Sequence, residues 1–330
     1  MTGTHRCAVL DDYQRVAASM APWDALPASV EVDFLDRHLG ADEIAGTLAP
    51  YAVIVAMRER TVFDEALLKR LPNLRLLVTT GMANAAIDMA AAGRLGIVVS
   101  GTRGSVGPAA ELAWGLLLAL MRNLPEETAN FRSGGERWQL GVGRDLKQKT
   151  LGVVGLGKLG ALVAGYGRAF DMTVLGWSKN NTPERSAALG IGYAATLDEL
   201  LSASDVVSLH LTLNAGTRGI VGARELGLMK PGAVIVNTSR GPLIDEAALI
   251  DALHDGSIAG AGLDVFDREP LPADHPFRTL PNIVATPHLG YVTRETYEIY
   301  FADALENIRT WLSGHPVRVL NADAGPASGG

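Results

Sequence analysis

The sequence predicts an α/β protein made of two successive units of parallel sheet, and three observations carry that expectation. Short runs rich in Val, Ile and Leu alternate with stretches whose apolar residues recur at helical spacing. At 330 residues the chain exceeds the usual size of one domain. A glycine-rich turn, Gly155-Leu156-Gly157-Lys158-Leu159-Gly160, lies near the middle of the chain, where a second unit would begin.

In the first hundred residues, strands are predicted at 8–10, 30–35, 51–56, 74–78 and 97–99. Helical spacing falls between them at 13–20, 41–48, 63–70 and 87–92. Such alternation implies a parallel sheet covered by helices on both faces. The stretch 108–122 is apolar all round its helical period and must be buried. Beyond it, Ser133-Gly134-Gly135 and Gly141-Val142-Gly143 break any regular pattern, so 124–149 reads as an irregular arm with Trp138 as a packing anchor at a subunit contact rather than a ligand contact.

The second unit repeats the rhythm. Strands are predicted at 151–154, 173–176, 206–209, 233–237, 259–263 and 283–285, with helices at 158–170, 197–202, 223–228 and 246–254. A helix at 293–312 has no strand after it, so it returns to the first unit. The expected organisation is therefore residues 1–100 plus 291–320 as one domain, 101–290 as a second domain inserted into it, and 321–330 as a disordered tail.

The central turn follows a predicted strand and opens a predicted helix, the context that gives a G-x-G-x-x-G pattern meaning. Gly155 suits the tight turn, Gly157 admits a pyrophosphate close to the backbone, and Gly160 lets helix and strand pack closely. The N–H groups at the helix start, with Lys158 and Leu159, complete a phosphate cradle. The second domain is thus expected to be a Rossmann-like cofactor domain, and the first a flavodoxin-like relative without a phosphate loop.

Composition narrows the class. A net charge of −7, scattered along the chain, argues against a nucleic-acid surface. The longest apolar run, 112–121, is too short to span a membrane, and the N-terminus lacks a signal-peptide core. A single cysteine, Cys7, rules out an intrachain disulfide and suits a reducing cytoplasm. The histidines show no metal-ligand spacing, so no metal is expected.

Three polar sets lie just past predicted strand ends, at the edge where open α/β sheets bind ligands. They are Ser239-Arg240-Gly241, the stretch from Asp264 to Glu269, and Thr286-Pro287-His288-Leu289-Gly290. Hydride transfer to a 2-keto acid needs a cation for the carboxylate and a proton donor for the carbonyl oxygen. It also needs a group that sets the donor's protonation state. Arg240, His288 and Glu269 supply these three chemistries.

The motifs S-R-G-P-L-I-D-E, L-D-V-F-D-R-E-P-L and T-P-H-L-G follow the glycine turn in one order. With them the chain resembles the D-isomer-specific 2-hydroxyacid dehydrogenases, from about residue 50 to about 315. That resemblance implies Arg240 as the carboxylate holder, His288 as acid and base, and Glu269 as the group that orients its ring. It implies cofactor contacts from Thr212, Thr238, Ser239, Arg240, Asp264, His288 and Gly290. The first unit is expected to add substrate contacts from Arg58, Gly81 and Met82, while Tyr291 narrows the pocket or donates a hydrogen bond. A homodimer through the cofactor domain and the arm is also implied.

One departure bears on the cofactor. NAD-using sites hold the adenosine ribose with an acid about 20 positions past the glycine loop. Here the slot falls on Ser178, followed by Lys179 and Asn180. Nothing there repels a 2′-phosphate, so NADP(H) is favoured and NAD(H) remains possible. The expected substrate is a small 2-keto or 2-hydroxy acid, with glyoxylate, hydroxypyruvate, phenylpyruvate and 3-phosphohydroxypyruvate all open. Too few residues follow the last helix for a regulatory domain, which makes a serine-pathway phosphoglycerate dehydrogenase the runner-up. A dinucleotide-sensing corepressor-like protein is the alternative from another class, and a formate or phosphite dehydrogenase the third.

Overall fold

The computed structural model describes residues 4–322, so residues 323–330 of the expected tail lie outside the described part. The chain forms two compact units, one contributed by the chain up to Ser105 and again from Thr293, the other by Val106–Val292. The second is inserted in sequence between the two parts of the first, and the crossings fall a few residues beyond the expected boundaries.

In the first unit the strands are β1 (His5–Val9), β2 (Val30–Phe34), β3 (Val53–Ala56), β4 (Leu76–Thr79) and β5 (Val98–Gly101). They pair in parallel in the order β2-β1-β3-β4-β5. All residues of β3 and β4 are buried, which is why their apolar runs are continuous rather than alternating. Ile54, Leu68, Leu74 and Leu77 lie in the core beside Phe63. Helices Glu65–Lys69 and Met89–Arg94 start where the Asp64 and Asp88 carboxylates accept backbone N–H groups. The helix expected at 13–20 shortens to Ala17–Met20. Asp11 and Arg15 are left-handed, and the Asp12 carboxylate accepts the N–H groups of Val16 and Ala17. The last helix, Arg294–Leu312, belongs to this unit.

The second unit carries β6 (Thr150–Val154), β7 (Thr173–Trp177), β8 (Gly192–Tyr193), β9 (Val206–Leu209), β10 (Val234–Asn237), β11 (Gly260–Leu263) and β12 (Ile283–Ala285). Their parallel order is β12-β11-β10-β9-β6-β7-β8. The strand order reverses at β6, which has β9 on one side and β7 on the other. Helix Gly107–Met121 is buried on this sheet as its composition requires, with Leu116 against Gly262.

Two expectations need correction. The arm opens with a regular helix, Leu124–Ser133, bounded by left-handed Asn123 and Gly134. The proposed tail is ordered at its first residue. Asn321 is buried, its Oδ1 accepting the Val99 N–H and its Nδ2 donating to the Ile97 carbonyl, so it continues the edge pairing of β5.

Candidate active site

Three neighbouring strands, β10, β11 and β12, present the catalytic candidates from the loops at their C-terminal ends. After β10, Asn237 shapes the turn. Its Oδ1 accepts the Ser239 N–H at 3.0 Å and its Nδ2 donates to the Arg240 carbonyl at 2.9 Å. The Ser239 hydroxyl donates to the Leu209 carbonyl, tying this turn to the end of β9. Arg240 is half-buried, with Nη1 donating to the Ser239 carbonyl at 2.6 Å. A Cβ on Gly241 would overlap the Phe266 carbonyl, so only glycine lets the Arg240 turn lie against the loop after β11.

That next loop carries Glu269. One carboxylate oxygen, Oε1, accepts the Phe266 N–H at 3.0 Å, and the other, Oε2, lies 2.6 Å from His288 Nδ1. Since a carboxylate only accepts, Nδ1 is the donor in that pair, which leaves Nε2 outside it. The histidine ring is largely buried and meets the edge of the buried Tyr291 ring, with centroids 5.4 Å apart.

His288 has a left-handed backbone with φ of 56°, a conformation that needs support in a non-glycine residue. Asp264 supplies it. Its Oδ1 accepts the Thr286 hydroxyl at 2.6 Å and the Leu289 N–H at 2.7 Å, and its Oδ2 accepts the Gly290 N–H at 2.8 Å. Burial pushes the Asp264 carboxyl up, against the opposing effect of these donors and of His288. The carboxylate of Asp264 thus holds the His288 loop.

The glycine turn joins β6 to helix Lys158–Ala169, at the reversal of strand order. Gly155 takes φ of 98°, and a side chain there would strike the His210 carbonyl. At Gly157 nothing lies within 4 Å of a Cβ position, which leaves open space over the helix start. The Thr238 hydroxyl is buried without a hydrogen-bond partner among the described residues. A nicotinamide dinucleotide fits these features. Its pyrophosphate has open N–H groups at the helix start, and Thr238 has an unmet hydrogen bond to offer. Thr212 is exposed after β9, and Ser178, Lys179 and Asn180 follow β7. Burial lowers His210 to about 3, and its Nε2 meets Ser208 Oγ at 2.8 Å.

Within the first unit, Arg58 is left-handed, with φ of 52°. It lies over Gly81, and its Nη1 donates to the Thr80 carbonyl at 3.2 Å. Met82 beside it is exposed. The turn-shaping part of Asn237 and the loop-holding part of Asp264 are not legible in the sequence, since both act through backbone groups that only the fold brings together. An Asn three residues before the arginine is the one available signal.

The family described as D-isomer specific 2-hydroxyacid dehydrogenase, NAD binding domain, matches residues 114–290. The chain belongs to the D-isomer specific 2-hydroxyacid dehydrogenase family. It is 39% identical over 270 residues to a glyoxylate reductase of Aeropyrum pernix, covering 79% of this chain and 80% of that protein. A D-3-phosphoglycerate dehydrogenase of Methanocaldococcus jannaschii is 37% identical over 80% of this chain, which spans 50% of that longer protein. The crystal structure of a phosphoglycerate oxidoreductase from Vibrio cholerae superposes with a TM-score of 0.89 at 38% identity, covering 94% of this chain and 99% of the other. As a D-2-hydroxyacid dehydrogenase, this chain is an oxidoreductase of CH–OH groups that uses a nicotinamide cofactor. Among the described residues no cluster suits a metal ion, and no helix is long and apolar enough to cross a membrane.

Proposed function

We propose that this D-2-hydroxyacid dehydrogenase reduces a small 2-keto acid with NADPH, using Arg240, Glu269 and His288. The observation that carries this reading is the 2.6 Å pair between His288 Nδ1 and Glu269 Oε2, which joins the loops after β12 and β11 next to the loop of Arg240. The cofactor, when bound, supplies or accepts the hydride. Arg240 holds the substrate carboxylate and the neighbouring carbonyl with its planar fork of donors. His288 delivers the Nε2 proton to the carbonyl oxygen, and Glu269 balances the positive charge of the doubly protonated ring. In the reverse direction the same nitrogen takes the hydroxyl proton.

The dinucleotide is held by Gly155, Gly157, Lys158, Leu159 and Gly160, with Thr212, Thr238, Ser239 and Gly290 lining its path. Tyr291, buried against the His288 ring, joins Arg240 in substrate binding. Ser178 in place of an acid, with Lys179 beside it, supports NADP(H) over NAD(H). A second reading, a phosphorylated acid as substrate, is favoured by the relatives named for phosphoglycerate.

The test is a panel of glyoxylate, hydroxypyruvate, phenylpyruvate and 3-phosphohydroxypyruvate with NADPH and with NADH, read as loss of reduced-cofactor absorbance. At least one acid is expected to turn over, with higher kcat/KM for NADPH. A strong NADH preference would overturn the cofactor assignment, and silence with every acid would favour a dinucleotide-sensing role.

The protein is also expected to be a cytoplasmic homodimer. Phe131 and Trp138 are 71% and 81% exposed on the arm, and Val142 is 94% exposed. Apolar side chains so exposed together mark an association surface. Light scattering should return twice the chain mass of 34.8 kDa, and a single chain mass would refute the dimer.

A further inference from the structure

The segment after β7 is built around a second cation that the glycine motif does not include. Asn181 closes the turn: its backbone N–H donates to the Ser178 carbonyl at 2.9 Å, and its Nδ2 donates to the Gly176 carbonyl and to Ser186 Oγ. Ser178, Lys179 and Asn180 are thereby tied to the short helix Pro183–Ala188, whose start is capped by Thr182. From that helix Arg185 reaches across to the neighbouring loop, and its Nη2 donates to the Leu156 carbonyl at 2.6 Å. Leu156 lies between Gly155 and Gly157, so one guanidinium joins the ribose-side turn after β7 to the phosphate-side turn after β6.

A guanidinium has five N–H donors, and this contact uses one. Arg185 is otherwise exposed, so the rest of the fork is open to a ligand at this edge. The acid nearest in sequence, Glu184, accepts from its own backbone N–H and from the Thr182 hydroxyl, which hold its carboxyl below the usual range. It is the sole carboxylate between Trp177 and Ser186, against the two cations Lys179 and Arg185.

We propose that Arg185 is a specificity-determining residue that binds the 2′-phosphate of the cofactor's adenosine half, anchored through Leu156 and assisted by Lys179. The proposal rests on the NADP(H) assignment made under the proposed function. The anchor gives the guanidinium a fixed position before the ligand arrives, so little side-chain freedom is lost on binding. An arginine near this slot is the group that accommodates a 2′-phosphate in dinucleotide folds. Here it comes from the following helix instead of the strand end, where Ser178 stands.

Calorimetry of the full chain with adenosine 2′,5′-bisphosphate and with adenosine 5′-monophosphate tests this without turnover. The parent protein should prefer the bisphosphate, and added salt should weaken that preference. Arg185→Gln should lower bisphosphate affinity by about 10- to 100-fold while leaving the monophosphate unchanged, the range for losing charged hydrogen bonds. Arg185→Lys should retain part of the preference. Equal loss of both ligands in Arg185→Gln would show a loop clasp only and overturn the proposal. If the parent prefers the bisphosphate and Arg185→Gln keeps that preference, Arg185 is refuted while NADP(H) stands. No preference in the parent would refute both.

Discussion

Replacing His288 with asparagine is expected to lower kcat by about 10²–10⁴-fold, the usual contribution of a positioned acid or base. Asparagine is the informative choice because His288 sits at φ of 56°. Among non-glycine residues asparagine adopts that left-handed backbone readily, so the loop held by Asp264 should persist. Its amide can donate a hydrogen bond to the carbonyl oxygen but cannot deliver the proton. Cofactor affinity, measured by fluorescence titration, should stay close to the parent value. Retained turnover would remove His288 from the chemistry, whereas joint loss of turnover and cofactor binding would indicate a collapsed loop.

Arg240→Gln should cost about 10²–10³-fold in kcat/KM, in the range for taking a charged partner from a desolvated pair. Both constants should suffer. The carboxylate loses its counter-charge in the ground state, raising KM, and the carbonyl loses its alignment, lowering kcat. Arg240→Lys should recover little, because a single ammonium cannot replace a planar fork. The turn itself should survive the change, since Asn237 binds the residue's backbone carbonyl and not its side chain. An effect on KM alone would reduce Arg240 to an anchor, and no effect would exclude it from the site.

Both sheets were legible because their central strands are buried on two faces and therefore read as apolar runs, as in β3 and in Val234–Val236 of β10. What escaped lacks that signature. Strand β8 is two exposed residues at a sheet edge. Helix Leu124–Ser133 buries no residue, so it has no apolar stripe to reveal its period, and the glycines after it suggested irregular chain. Asn321 belongs to a polar, small-residue stretch, and its worth lies in the Val99 N–H of β5 and the Ile97 carbonyl just before that strand, both far away in sequence.

The site divides in the same way. Arg240, Glu269 and His288 were legible because each sits in a local motif at a strand end. Their supports were not. Asp264 holds the His288 loop through three donors from residues 286–290, and Arg185 meets Leu156 across two loops. Those contacts depend on the parallel neighbours β11 and β12, and β6 and β7, lying side by side.

In the proposed function, hydride reaches the carbon beside a carboxylate and His288 supplies the proton. The most direct measurement reduces the best 2-keto acid of the panel with cofactor doubly deuterated at C4 of its reduced nicotinamide ring. Nuclear magnetic resonance then reads the product. For a prochiral acid one deuterium is expected at C2 of a hydroxy acid with D configuration. Product without that deuterium, or with L configuration, would contradict it.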